Sequence, residues 1–201
     1  METNRRIGCH LLHSLLLAVL LVAGCASTAR NQQAALPKEQ PENAAGYKEF
    51  LTRVQAYADL HKSISSTLPA LKSTDVPELI TAHQQALARK IREARSNAKR
   101  GDIFTEEAEK SFRSAIQDEF QGSQGHEART TIRQGEPLKE TQLRVNEAYP
   151  DGVPFTTVPP TLLLKFPKLP DQVTYRIVGH DLILLDSEAN LVVDTIPGSI
   201  P

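Results

Sequence analysis

Four histidines, His61, His83, His126 and His180, are scattered singly along the body of this chain, and His180 stands closest to acids: Asp181 adjoins it and Asp186 follows one short apolar run later. Imidazole and carboxylate together are the ligands of a divalent-cation site, and His83, on a helical stretch, is the residue that would join them from elsewhere. The spacing follows no metal-binding pattern, so a turn histidine in water is the expectation. His180, Asp181 and Asp186 stand as weak candidates, with no metal or other cofactor assigned. Catalytic signatures are also missing from the sequence, which has no G-x-S-x-G, no glycine-rich phosphate loop and no H-E-x-x-H. A carboxylate pair assembled from distant segments stays open. Thiol chemistry is confined to Cys9 and Cys25.

Cys25 ends a run with a definite order. Arg5 and Arg6 form a short positive segment, and Leu11 to Ala23 form an apolar core broken by His13 and Ser14. That is the length of an export signal. It falls short of the roughly 20 apolar residues that cross a bilayer. The closing Val22-Ala23-Gly24-Cys25 resembles the lipobox of bacterial lipoproteins. The resemblance implies cleavage between Gly24 and Cys25, a diacylglyceryl group on the Cys25 thiol and acylation of the new amino terminus. Ala26, where an aspartate would retain the protein at the inner membrane, implies the outer membrane facing the periplasm in a two-membrane host. The alternative is an ordinary secretory signal cut nearby, for instance after Ala26. Buried methylenes contribute about 0.8 kcal/mol each, so two or three chains hold where one is marginal.

Removing residues 1–24 from the 201 takes away Arg5, Arg6 and Glu2, and the 23 basic and 24 acidic residues then leave a net charge of −2. No global field draws such a body to nucleic acid. With Cys9 gone and Cys25 lipidated there is no thiol to pair, so stability must come from packing without disulfides. The absence of Trp, with 6 Phe and 4 Tyr, predicts a mostly aliphatic core.

The elements that must position any site follow in order. Residues 25–46, the lipidated cysteine and a polar stretch with two prolines, read as a tether reaching roughly 25 Å. The folded part is a single domain over 47–201, helical over 47–135 and mostly β over 140–201. Tyr47, Phe50, Leu51, Val54, Tyr57, Leu60, Ile64 and Leu68 put one apolar stripe on a first helix closed near Pro69. Asp75-Val76-Pro77-Glu78 predicts a second helix capped by Asp75, running through Ile80, His83, Leu87, Ile91 and Ala94, with Gly101 as a stop. Its end collects Arg89, Lys90, Arg92, Arg95, Lys99 and Arg100. That cluster suits either an anionic surface or, the preferred expectation, pairing with Glu106, Glu107, Glu109, Asp118 and Glu119 of the next helix. Thr105 caps this third helix, with Ala108, Phe112, Ile116 and Phe120 on its buried face. A weaker helix covers His126 to Arg133 before Gln134-Gly135-Glu136-Pro137. Leu143, Val145 and Ala148 alternate as in a strand, Tyr149-Pro150-Asp151-Gly152 is a turn, and a helical turn starts near Pro160. The clearest β pattern closes the chain: 173–178, 181–185 and 191–196 joined by tight turns. Helices followed by an antiparallel meander predict an α+β fold, with the N-terminal amphipathic helices packed on the sheet.

Taken together, Asp102-Ile103-Phe104-Thr105, Leu143-Arg144-Val145-Asn146, Tyr149-Pro150-Asp151-Gly152, Val158-Pro159-Pro160 and Tyr175 to Leu184 resemble a group of uncharacterised exported bacterial proteins, over roughly the last hundred residues. The closing hairpin is also similar, over about thirty residues, to that of small periplasmic proteins of nickel and cobalt homeostasis. The first resemblance implies no activity, and the metal-related function of the second is not transferred. Three functions are therefore open. The first is a noncatalytic envelope lipoprotein attached to the membrane through Cys25 and binding an envelope protein partner. The second is a periplasmic binder of a small ligand or metal ion in the crevice between helices and meander, and the third a hydrolase with a dispersed site. The first requires the fewest unseen features.

Overall fold

A computed structural model describes residues 45–71, 75–122, 125–133 and 143–201, all within one compact unit spanning Pro37–Pro201. The signal run, Cys25, residues 26–44 and the breaker at 134–137 lie outside the described residues. The fold is α+β.

Helix α1, Ala45–Ser65, buries Tyr47, Phe50, Val54, Tyr57 and His61, spaced by three and four. Tyr47 and Phe50 meet α3, Glu106–Gln121, which buries Ala108, Phe112, Ile116 and Phe120, while Tyr57 and His61 reach the end of the sheet. Gly46 lets the two helices meet, since a Cβ there would lie 2.4 Å from the Glu107 carbonyl oxygen. The core is mostly aliphatic, as expected, but an aromatic cluster stands at its centre. The Phe112 ring is met edge-on by Tyr47, Phe50, Phe104 and Phe166, with centroids 4.8–5.0 Å away. Such contacts add to area burial because each ring edge is positive and each face negative.

Helix α2, Pro77–Ala94, starts at the expected proline without the expected cap: the N-cap is Val76, in extended backbone, whose side chain supplies no capping bond. Proline disfavours a helical conformation for the residue before it, so the helix begins at Pro77 and leaves Asp75 one position too early to cap. Only the second half of α2 is packed, through Leu87, Ala88 and Ile91, while Ile80, expected on the core stripe, is exposed. At α3, Thr105 accepts from the Ala108 amide as expected, at 3.4 Å. The acids of α3 do not neutralise the basic end of α2. Glu106 and Glu107 pair with Lys110, Glu109 with Arg113, and buried Glu119 with Lys165 and the Thr161 hydroxyl. Pairing within one helix wins because residues three and four apart are already neighbours. Helix α4, Gly125–Arg133, matches its expected span, and α5, Pro160–Leu163, buries Leu162 but leaves Leu163 and Leu164 exposed.

The sheet has four antiparallel strands in the order of the chain, β1 (Thr156–Thr157), β2 (Thr174–Val178), β3 (Asp181–Asp186) and β4 (Leu191–Ile196). The meander stands where expected, with the two-residue β1 as an addition. The strand expected at Leu143–Ala148 is not formed. Asn146 takes a left-handed φ of 66°, and the segment crosses the outer edge of β4 with one bridge, Ala148 to Leu191. Its Asn146 and Tyr149 amides donate to the Val192 and Asn190 carbonyls, covering an edge that would otherwise be open. The sheet is buried on both faces. Tyr175, Ile177, Leu182, Leu184, Leu191 and Ile196 join the helical core, and Val178, Ile183, Leu185 and Val192 close over Tyr149, Leu143 and Val153 behind it. Double burial explains why β3 reads as a continuous apolar run.

A bulge between Leu184 and Leu185 shifts the β3–β4 register, so that Leu184 pairs with Asp194 and Leu185 with Val192. Val193 and Asp194 then both serve the helical side, Val193 in the core and Asp194 beneath the α2–α3 loop. The Asp194 carboxylate accepts from the amides of Gly101, Ile103 and Phe104 at 2.8–3.1 Å, and from that of Thr195. Burial pushes its pKa above the ordinary carboxylate value, and these four donors act in the opposite direction. Asp194→Ala strands the buried Ile103 and Phe104 amides and the half-buried Gly101 amide of the loop that enters α3. Urea denaturation should show a loss of about 2–5 kcal/mol, against less than about 1 kcal/mol for exposed Asp118→Ala.

Candidate functional site

The described residues that gather titratable groups lie between α1 and the turn from β3 to β4. Tyr57 and His61 are four apart on α1 and so share the face turned to the sheet. Asp186, the last residue of β3, is fully buried beneath them. Its Oδ2 accepts from the Tyr57 hydroxyl at 2.6 Å and from His61 Nδ1 at 2.6 Å, and its Oδ1 accepts from the Ala189 amide at 2.9 Å. The one carboxyl group of Asp186 thus joins two side chains of α1 to the turn that follows β3.

The second nitrogen of His61 is also spoken for. Nε2 lies 3.0 Å from Glu188 Oε2, on the β3–β4 turn, and the other Glu188 oxygen is 3.7 Å from His83 Nε2 on α2. Both ring nitrogens of His61 face carboxylate oxygens, which accept and do not donate, so the ring carries two protons and a positive charge. Burial works against that charge, but Asp186 and then Glu188 outweigh it and hold the His61 pKa above the ordinary histidine value. Tyr57 is held far above the ordinary phenol range by burial and then by the Asp186 carboxylate. Arg95 lies over the Tyr57 ring at 4.9 Å and donates to the Val193 carbonyl at 3.3 Å. Burial lowers its affinity for a proton, while Tyr57, Asp194, Asp102 and Asp186 act to restore it.

The chemical capacity of this cluster is narrow. An Asp–His pair activates a nucleophile or binds a metal through the second ring nitrogen, but that nitrogen is turned to Glu188 and His61 is 2 % exposed. The arrangement is a charged tie from α1, through the imidazolium, to the end of β3 and the following turn. Sequence reasoning overlooked it by placing Leu60 on the stripe. The steps 47, 50, 54, 57, 61, 64, 68 put His61 there, and an imidazole on a buried stripe asks for a partner.

The weak metal candidates are not brought together. Asp186 is at the far end of β3 from Asp181, about 17 Å along a strand of that length. Asp181 Oδ1 accepts from the Gly198 amide, and His180 Nδ1 meets the Ile200 carbonyl at 2.8 Å, so both hold the C-terminal segment to the β2–β3 turn. His83 does approach Asp186's neighbourhood, through Glu188. Among the described residues no three His, Cys, Asp or Glu side chains are arranged to hold a metal ion. A shallow groove of about 350 Å³ between Leu163, Leu164, Phe166, Leu169, Tyr175 and Arg176 includes none of the residues of the tie.

The sign of the pH dependence follows from the raised value. The tie contributes fully below the ordinary histidine value of 6.5 and is lost as the pH climbs through the higher folded-state value. Melting temperature should therefore fall as the pH rises above 6.5, and in Glu188→Gln, which removes one of the two carboxylates and so lowers the folded-state value, the fall should be smaller and end at lower pH. His61→Leu leaves Asp186 without its cation and should cost about 3–5 kcal/mol at neutral pH. Identical pH profiles for wild type and His61→Leu would overturn the assignment. No family model, curated protein or solved structure matches this chain, so its functional reading rests on its own residues.

Proposed function

We propose that the chain is an exported lipoprotein, held by acyl groups on Cys25 in the outer membrane of a two-membrane host, with a periplasmic body that binds an envelope protein and catalyses nothing. The observation that carries this reading is the run from Arg5 to Cys25: a positive start, an apolar core of signal length and Val22-Ala23-Gly24-Cys25 at its end. Among the described residues no helix is long and apolar enough to cross a membrane. The noncatalytic part draws support from the tie at α1. Its most perturbed groups, Tyr57 and His61, spend their donors on Asp186 and Glu188, and burial keeps them from a substrate.

Intact mass of the protein purified from its host membranes tests the reading. The expected species starts at Cys25 and carries added acyl mass, and Cys25→Ser abolishes that mass. A soluble chain of unmodified mass would sink the anchor and turn the body into a diffusible exported protein. For the binding part, crosslinking in intact cells should join the acylated body to a discrete envelope protein, and the adduct should survive His61→Gln provided the fold does.

A further inference from the structure

The basic end of α2 is not paired with acids among the described residues. Arg89, Lys90 and Arg92 on α2, with Lys99 and Arg100 in the loop that follows, are exposed, and none forms an ion pair with a described residue. Glu93 is the lone acid between Arg89 and Arg100. The Asp102 carboxylate beyond them is turned back onto the Lys99 amide at 2.9 Å. The carbonyls of the last helical turn, which would attract these side chains, are occupied instead: Asn146 Nδ2 donates to the Arg92 and Arg95 carbonyls at 3.2 and 3.0 Å. The cations therefore project from a body whose net charge is negative.

The same helix offers apolar surface where it overruns the core. Leu79 and Ile80 are 53 % and 45 % exposed, and at 100° per residue Lys90 falls about 20° and Arg89 about 80° from the line of Leu79, with Ile80 about 100° away on the flank nearer the core and Arg92 on the opposite flank. Exposed aliphatic side chains followed by lysine and arginine fit the boundary between headgroups and acyl chains. A soluble polyanion would engage the cations and leave the leucine and isoleucine in water. We propose that this face of α2 docks on the anionic phospholipid headgroups of the membrane that anchors the chain. The proposal rests on the lipoprotein reading for its geometry. About twenty residues separate Cys25 from α1, at most about 70 Å of chain at full extension, so the body never leaves the neighbourhood of the surface.

The test uses the full chain purified from its host and mixed with vesicles of phosphatidylcholine, with or without about one third phosphatidylglycerol. Acyl mass at Cys25 is scored first. Lys90 and Lys99 are then labelled with an amine-reactive reagent, with exposed Lys62 on α1 as the internal reference. On anionic vesicles, labelling of Lys90 and Lys99 should fall at least about threefold relative to Lys62, and salt near 0.5 M should restore it by screening. Arg89→Glu combined with Arg92→Glu should abolish the protection while circular dichroism stays unchanged. Equal labelling on both vesicle types, or protection by heparin but not by anionic vesicles, would overturn the docking even if the chain is acylated. An unacylated chain that still floats with anionic vesicles in low salt would sink the anchor and leave the docking standing. An unacylated chain that does not float would overturn both.

Discussion

Two buried carboxylates at the core of one hairpin hold the helical layer to the sheet. Asp186, ending β3, takes the Tyr57 hydroxyl and the His61 imidazolium from α1. Asp194, brought inward by a bulge in β4, takes three amides from the loop between α2 and α3. Hydrophobic burial is non-directional and fixes neither the rotation of α1 nor the path of that loop. A carboxylate that loses its donors inside the protein costs several kcal/mol, so each of these groups permits one arrangement of the elements around it. In a body without cysteine pairs, this is the means at hand for making the layers specific.

The readable part of the sequence is the part governed by local chemistry. Helix periods, the Thr105 cap, the tight turns and the closing strands follow from neighbours in the chain, and they stand where the pattern put them. The misreadings arise where distant residues decide. Asp75 looks like a cap until Pro77 fixes where the helix can begin. Leu143 to Ala148 alternates like a strand, but the left-handed Asn146 spends its side chain on the end of α2, and the segment pairs with β4 at one point. Thr156–Thr157 is too short to stand out and becomes a strand through its pairing with Ile177 and Arg176. The acids of α3 were assigned to α2 on charge alone, although partners one turn away on their own helix were already within reach.

The candidate site was half visible. Acids within or ending apolar strands, as Asp186 and Asp194 are, contradict the strand pattern and so call for a donor. Sequence could supply the demand but not the partner, because His61 lies 125 positions away. His180 and Asp181 attracted a metal reading because they are adjacent to each other in sequence. Folded, they serve the C-terminal segment, which no local spacing could indicate.

An Asp–His pair invites comparison with catalytic pairs, and the difference here lies in acceptor capacity. In a catalytic pair the carboxylate fixes one ring nitrogen so that the other keeps a free lone pair for a proton or a metal. Here Glu188 meets the other nitrogen and stabilises the protonated ring, which has no lone pair to offer. Glu188 itself is half exposed and stands between His61 and His83, so deprotonation of the ring removes one contact while the Asp186 bond remains. The pair therefore couples the grip on α1 to proton concentration without requiring the helix to leave the sheet, since the stacking of Phe50 on Tyr175 of β2 does not depend on the charge of the ring. Such a tie modulates stability over a range of pH and leaves the fold in place.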